Sequence, residues 1–154
     1  MEISSIDQEV TDFDWYAVDT SGCVIQFASG GGPLPGSVAA SIEALTQLHD
    51  YFLSLSTETT TARLNPHLAQ VVRNIVGKDE DAYRRYAHSF LNYGKRGLFA
   101  FDKTDLAHAE NRYHLVAYPE TPLYAGGTAT GYKRVDFPYL CAVCHFRGGD
   151  SGCR

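Results

Sequence analysis

Two short apolar bursts come early in the chain, Trp15 to Asp19 (WYAVD) and Cys23 to Ala28 (CVIQFA), with TSG between them. Runs of this length, rich in β-branched and aromatic residues and bounded by turn residues, are strand signals. Gly22 can supply the positive φ that a tight turn demands, so the stretch predicts a β-hairpin. The following GGGPLPG, residues 30–36, can be neither helix nor central strand, because three glycines leave the backbone free and two prolines remove donors. From Ser37 the period changes. Val38, Ile42, Leu45, Leu48, Phe52 and Leu55 recur at threes and fours, which places them on one face of a helix capped by Ser37 and reaching about Ser56.

TETTTARLN is polar and β-branched and reads as a loop. Pro66 can open a shorter helix through Val76, with Gly77 as its stop. Asp79 then caps a third helix that turns Tyr83, Tyr86, Ala87 and Phe90 inward and ends before Gly94. Beyond GKRG the pattern returns to strands at LFAFD (98–102) and YHLVAYP (113–119), with GYKRVDF (131–137) a weaker third. The intervening KTDLAHAENR is a loop or a single helical turn. A hairpin, then helices, then strands predicts an α+β fold in a single domain over residues 1–154: a mainly antiparallel sheet packed on one side by about three helices.

Charge narrows the partners. Eighteen acidic residues against thirteen basic give a formal net charge of -5 over 154 residues, so a phosphate backbone is repelled overall and nucleic acid is not the expected partner. The pairs Arg84 with Arg85, Lys95 with Arg96, and Lys133 with Arg134 fall at predicted helix ends and strands, where basic side chains are ordinary solvated surface. The first fifteen residues have neither a positive n-region nor an apolar h-region, and no apolar run approaches the roughly 20 residues of a membrane helix. The expectation is a cytoplasmic protein without membrane contact, whose cysteines Cys23, Cys141, Cys144 and Cys153 are thiols or ligands rather than structural disulfides.

DWYAVDTSGCVIQFASGGGPLP (14–35), RGLFAFD (96–102) and YHLVAYPETPL (113–123) together resemble a group of small uncharacterised bacterial proteins that look like immunity proteins of toxin systems. The resemblance covers a hairpin, a glycine-rich loop and two strands, and it departs after Leu123. It implies a protein that binds and blocks a cognate toxin, and it carries over no site residue. The composition agrees in kind. Ten tyrosines and eight phenylalanines with an acidic balance suit a surface that meets a basic partner through aromatic anchors and carboxylates. The competing reading is that most of these rings fill the core, as the inward positions of Phe52, Tyr83, Tyr86 and Phe90 suggest.

The candidate chemistry centres on Cys141-Ala-Val-Cys144-His145. As C-x-x-C-H it matches haem attachment, but that chemistry needs export, and with Met1 the only methionine the sixth ligand would have to be another histidine or be missing. With His108-Ala-Glu110 and Pro138 upstream, the same cysteines resemble the zinc deaminase signature H-x-E…P-C-x-x-C. In that chemistry His108, Cys141 and Cys144 would hold zinc, and Glu110 would shuttle the proton of a metal-bound water. Against it, Tyr139 and Leu140 separate the proline from the first cysteine, and ten residues after Cys144 leave little room for the rest of such a fold. A Cys3His zinc site using Cys153 is weakened by the lone C-x-x-C. Strand or core thiols are the simplest reading, since free cysteine is among the most buried residue types. GGDSG (148–152) resembles a serine-protease nucleophile loop without room for the rest of the site. SGGGPLPGS lacks the lysine of a P-loop and reads as a connecting loop. His49, His67 and His88 form no metal motif.

The sequence therefore favours a binding protein over an enzyme, with no catalytic, metal or cofactor residue assigned and a toxin as the expected partner. The alternative is a zinc-dependent deaminase or a degenerate relative of one. Nothing in the sequence specifies an oligomeric state.

Overall fold

In the computed structural model, which describes residues 1–105 and 112–126 together with the backbone of strands at 134–135 and 144–146, the hairpin forms as its pattern predicts. β1 (Asp14–Asp19) and β2 (Val24–Ala28) pair antiparallel, Asp14 opposite Ala28 and Val18 opposite Val24, and Gly22 takes a φ of 88° in the turn. Asp19 clamps that turn by accepting the backbone N–H groups of Ser21 and Cys23 at 2.8 and 2.9 Å.

Ahead of the hairpin, Ser4 caps α1 (Ser5–Val10), a helix that the sequence pattern did not signal. Its Gln8 organises the glycine loop. Gln8 Oε1 accepts from Leu34 N–H at 2.8 Å and its backbone oxygen from Gly32 N–H at 2.6 Å. Gly31, at φ 69°, lies so close to α1 that a Cβ there would come within 2.8 Å of the Glu9 oxygen. The loop is thus a packed connection, with Gly32 and Leu34 donating inside the protein.

The long helix expected from Ser37 is two helices. α2 (Gly36–Ala39) stops at Ala40, and α3 (Ile42–Ser54) starts afresh because Ser41 is extended, φ -153°, and accepts from Ala44 N–H. Ser41 is therefore the cap, and the apolar stripe continues across the break because α2 and α3 both bury it: Val38, Leu45, Leu48 and Phe52 are at most 3% exposed. The segment read as a loop before Pro66 contains β3 (Ala62–Leu64), an edge strand held by β5. The helix expected from Pro66 is two single turns, α4 (Leu68–Val71) and α5 (Arg73–Val76), ending at Gly77 with φ 75°.

α6 (Glu80–Lys95) begins at Asp79 as predicted, with the Asp79 side chain accepting from Asp81 N–H. It runs past the predicted stop, for Gly94 is inside it and Gly97, φ 98°, turns the chain into β4. Gly94 serves the packing instead: a Cβ there would lie 2.7 Å from Ala62 Cβ and 3.7 Å from Ala117 Cβ, so a hydrogen at this position lets the helix lie close on the sheet.

β4 (Phe99–Lys103) and β5 (Tyr113–Pro119) complete a six-stranded sheet of order β3-β5-β4-β2-β1-β8. Pairing is antiparallel at β3–β5, β5–β4 and β2–β1, and parallel at β4–β2 and β1–β8. The α+β class and the mainly antiparallel sheet stand. β8 is Cys144–Phe146 beside Ala17 to Asp19. A second pair joins β6 (Tyr124–Ala125) to β7 (Arg134–Val135), which falls within the weaker third strand expected at 131–137, the rest of that stretch lying outside the described residues.

Strand alternation gives the sheet two distinct faces. One carries Trp15, Phe27, Phe101 and Tyr113, with Trp15 stacked on Phe27 at 4.2 Å and Tyr113 edge-on to Phe27 at 5.0 Å. Lys103, 1% exposed, sets its ammonium 5.1 Å from the Tyr113 ring centre. The other face, under α3 and α6, carries Asp14, Tyr16, Gln26, Asp102 and His114.

Cys23 is disulfide-bonded. The expectation that the cysteines are thiols or ligands fails there. No helix among the described residues is long and apolar enough to cross a membrane.

Candidate functional site

Under the helices the sheet register lays four residues in one line: Asp14 on β1 faces Ala28 on β2, Ala28 faces Asp102 on β4, and Asp102 faces His114 on β5. The next line with the same orientation is Tyr16, Gln26 and Ala100. Two carboxylates therefore stand on the same face, one strand apart, with the methyl of Ala28 between them. They lie at the carboxyl ends of the parallel pair β2 and β4.

Each carboxylate terminates a chain of hydrogen bonds. Tyr93 on α6 donates to Asp14 Oδ2 at 2.8 Å, the Tyr16 hydroxyl lies 3.3 Å from that of Tyr93, and His49 Nδ1 on α3 lies 3.1 Å from Tyr16. Because Tyr93 gives its proton to Asp14, it can accept from Tyr16, and Tyr16 in turn from His49 Nδ1–H. Tyr86 on α6 donates to Asp102 Oδ2 at 2.7 Å and lies 3.0 Å from His114 Nε2, while His114 Nδ1 lies 3.1 Å from Thr104 Oγ1. By the same reasoning His114 carries its proton on Nε2 and accepts from Thr104. Backbone and amide donors complete the two sites: Gln26 Nε2 to Asp14 Oδ1 at 2.6 Å, and Lys103 N–H to Asp102 Oδ1 at 2.8 Å.

Burial sets the electrostatics. It raises the carboxyls of Asp14 and Asp102 above the usual carboxylate range, against the hydrogen bonds from Tyr93 and Tyr86 that favour the ionised form. Burial and the neighbouring carboxylates also push the Tyr16, Tyr86 and Tyr93 phenols far up, so they stay protonated donors. Burial lowers His114 and so favours its neutral form.

The space above this line is a cleft of about 400 Å³ lined by Asp12, Asp14, Gln26, Ala28, Tyr86, Tyr93 and Asp102, with Arg85 on its wall. Asp12 is exposed and tied to the glycine loop, accepting Gly30 N–H at 2.7 Å. A smaller cavity of about 190 Å³ adjoins it on the α3 side, where Phe13, Ile42, Leu45 and His49 meet Asp12 and Asp14. The result is an acidic cleft with an aromatic wall and an apolar annex. Three carboxylates face it against one guanidinium among the described residues, and that guanidinium, Arg85, is 72% exposed beside Asp79.

Of the residues singled out for zinc chemistry, His108, Glu110 and Cys141 lie outside the described residues, and Cys144 is described by its β8 backbone alone. Among the described residues no three His, Cys, Asp or Glu side chains are grouped to hold a metal ion. His49 stands apart from His67 and His88 by its place in the Tyr16 chain. The cleft residues escaped the sequence reading because DWYAVD and LFAFD looked like structural strands. The available signal was an in-phase polar residue in each: Asp14 with Tyr16, Gln26 with Ala28, and Ala100 with Asp102 keep one face of strands that are otherwise apolar.

With the geometry in place, comparison with protein-family models, curated proteins and solved structures gives no match. The class is thus defined by the structure alone: an α+β protein with a half-buried pair of carboxylates open to one acidic cleft.

Proposed function

We propose that this chain is a binding protein that neutralises a basic partner, in the manner of a bacterial immunity protein and its toxin, and that the acidic cleft is where the partner docks. One observation carries the reading. Asp14 and Asp102 are held ionisable in a desolvated line, each braced by a tyrosine, and the cleft they face has room for a cationic group from outside. Both carboxylates are half-buried, Asp14 with the His49 imidazole 3.7 Å from its Oδ2 and Asp102 with Tyr86, and supplying a permanent cation from a partner converts their partial desolvation into affinity and specificity. The tyrosines of the cleft wall and the apolar annex add the kind of contact that anchors protein interfaces.

The resemblance to immunity-like proteins supports the same reading from the sequence side. Partner and protein meet, on this reading, wherever the disulfide at Cys23 survives, which favours an oxidising compartment over the cytoplasm expected from the sequence.

The test is co-expression of the chain with each product of the genes flanking its own. One of those products should be toxic alone, tolerated with the wild-type chain, and recovered with it as an equimolar complex. The Asp14→Asn, Asp102→Asn double variant should fold yet lose the protection. If no flanking product is toxic or forms a complex, the reading fails.

A further inference from the structure

At the floor of the cleft one atom lacks a partner. Gln26 is fully buried at the centre of the sheet, between Tyr16 and Ala100. The orientation of its amide is dictated by Asp14: Nε2 donates to Asp14 Oδ1 at 2.6 Å, and turning the amide over would set two acceptors against each other. Oε1 is then buried without a donor, on a residue that lines the cleft. Buried acceptors are rarely left so, because the atom has given up its water for nothing.

We propose that the cleft is a guanidinium site, filled by an arginine side chain of the partner that donates to Gln26 Oε1 and bridges Asp14 and Asp102. The assignment rests on the reading of the chain as a binding protein and names the chemistry of what it binds. Three features select a guanidinium over an ammonium. First, Asp14 and Asp102 are two strand spacings apart, roughly 10 Å between α-carbons. A planar group donating from opposite edges through bonds of about 2.9 Å spans roughly 8 Å between acceptors. A compact ammonium, with tetrahedral bonds of the same length, bridges acceptors only about 5 Å apart. Second, the remaining guanidinium N–H groups suit a third, neutral acceptor, which Oε1 provides. Third, Ala28 leaves the line open between the two carboxylates, where a larger side chain would fill the space. Arg85 could be the chain's own occupant, but its guanidinium lies 3.9 Å from Asp79 Oδ2, 72% exposed, and so it stands at the mouth as a like charge.

The experiment is a titration of the isotope-labelled full chain with methylguanidinium and with N-acetyl-arginine amide, following the Gln26 side-chain N–H resonances and, in the variants as well, the backbone N–H resonances of Phe27 and Asp102. N-acetyl-lysine amide is the control. Both guanidinium probes should shift those resonances saturably in the millimolar range, with the lysine probe roughly tenfold weaker. Gln26→Met and Ala28→Ile should each weaken the arginine probe by about tenfold or more, and Arg85→Ala should tighten it. Circular dichroism and melting curves identify any variant that misfolds, and the wild-type lysine comparison stands without the variants. Absence of a saturable shift, or equal response to lysine, overturns the guanidinium site. Saturation by methylguanidinium but not by the arginine probe overturns the side-chain source in favour of a small guanidine compound. None of these results touches the co-expression test, whose failure alone would remove the binding-protein reading.

Discussion

Tyr86 and Tyr93 give their hydroxyl protons to Asp102 and Asp14, and each can reverse its direction without moving. If Asp102 becomes asparagine, its amide can donate to Tyr86, Tyr86 to His114 Nε2, and His114 Nδ1–H to Thr104, so the chain of bonds survives with opposite polarity. The charge does not survive, and this decides the stability. Asp14 and Asp102 have folded pKa values raised by burial, so the folded chain binds their protons more tightly than the unfolded one. Their favourable contribution is complete below the unfolded value of about 3.9 and is lost as pH rises through the raised folded values. Asp102→Asn should therefore match the wild type in acid and become the more stable of the two as pH rises to neutral, in urea melts taken across that range. His114 acts in the opposite sense. Its folded pKa is lowered, so protonation favours the unfolded chain, and stability falls as pH drops from about 6.5 towards the lowered value. His114→Gln should flatten that part of the profile.

At the scale of elements, the position of α6 depends on the absence of a side chain. Gly94→Ala would place a methyl 2.7 Å from Ala62 Cβ on β3, and overpacking of this kind costs about 1–3 kcal/mol. A lowered urea midpoint should report it, because the helix and the edge strand cannot both keep their places. Ser41→Ala should lose about 1 kcal/mol by removing the α3 cap. Ser37, the cap expected from the sequence, lies inside α2 and does not cap α3. These two serines show what the pattern could and could not say. The apolar stripe from Val38 to Phe52 was readable, but the break at Ala40 was not, because both helices bury the same stripe. β3 was unreadable for another reason: ARL has no alternation of its own and becomes a strand through the backbone of β5.

Over the whole molecule the cleft draws on β1, β2, β4, β5, α3 and α6, with the parallel β2–β4 pair joining segments more than seventy residues apart. The site therefore forms only with the complete sheet, and loss of the fold and loss of the cleft should coincide in denaturant when Gln26 resonances and far-UV signal are followed together. Cys23 provides a check on the covalent structure. In denatured, unreduced protein it should resist alkylation, and it should become labelled after reduction. Reduction should lower stability by about 2–4 kcal/mol. Labelling of Cys23 before reduction would restore the thiol expected from the sequence.

What the sequence determined by itself was local and periodic. The hairpin with its Gly22 turn, the Asp79 cap and the strand at 113–119 each depend on residues within a few positions of one another, where propensity and capping act. The α+β class follows from the order of those elements. The tertiary structure decided the line Asp14, Ala28, Asp102 and His114, for register between distant strands is set by the packing of whole faces and by α6 lying close at Gly94. It also decided which of ten tyrosines would brace a carboxylate. A buried charge needs partners from several elements at once, and no local pattern encodes a meeting of that kind.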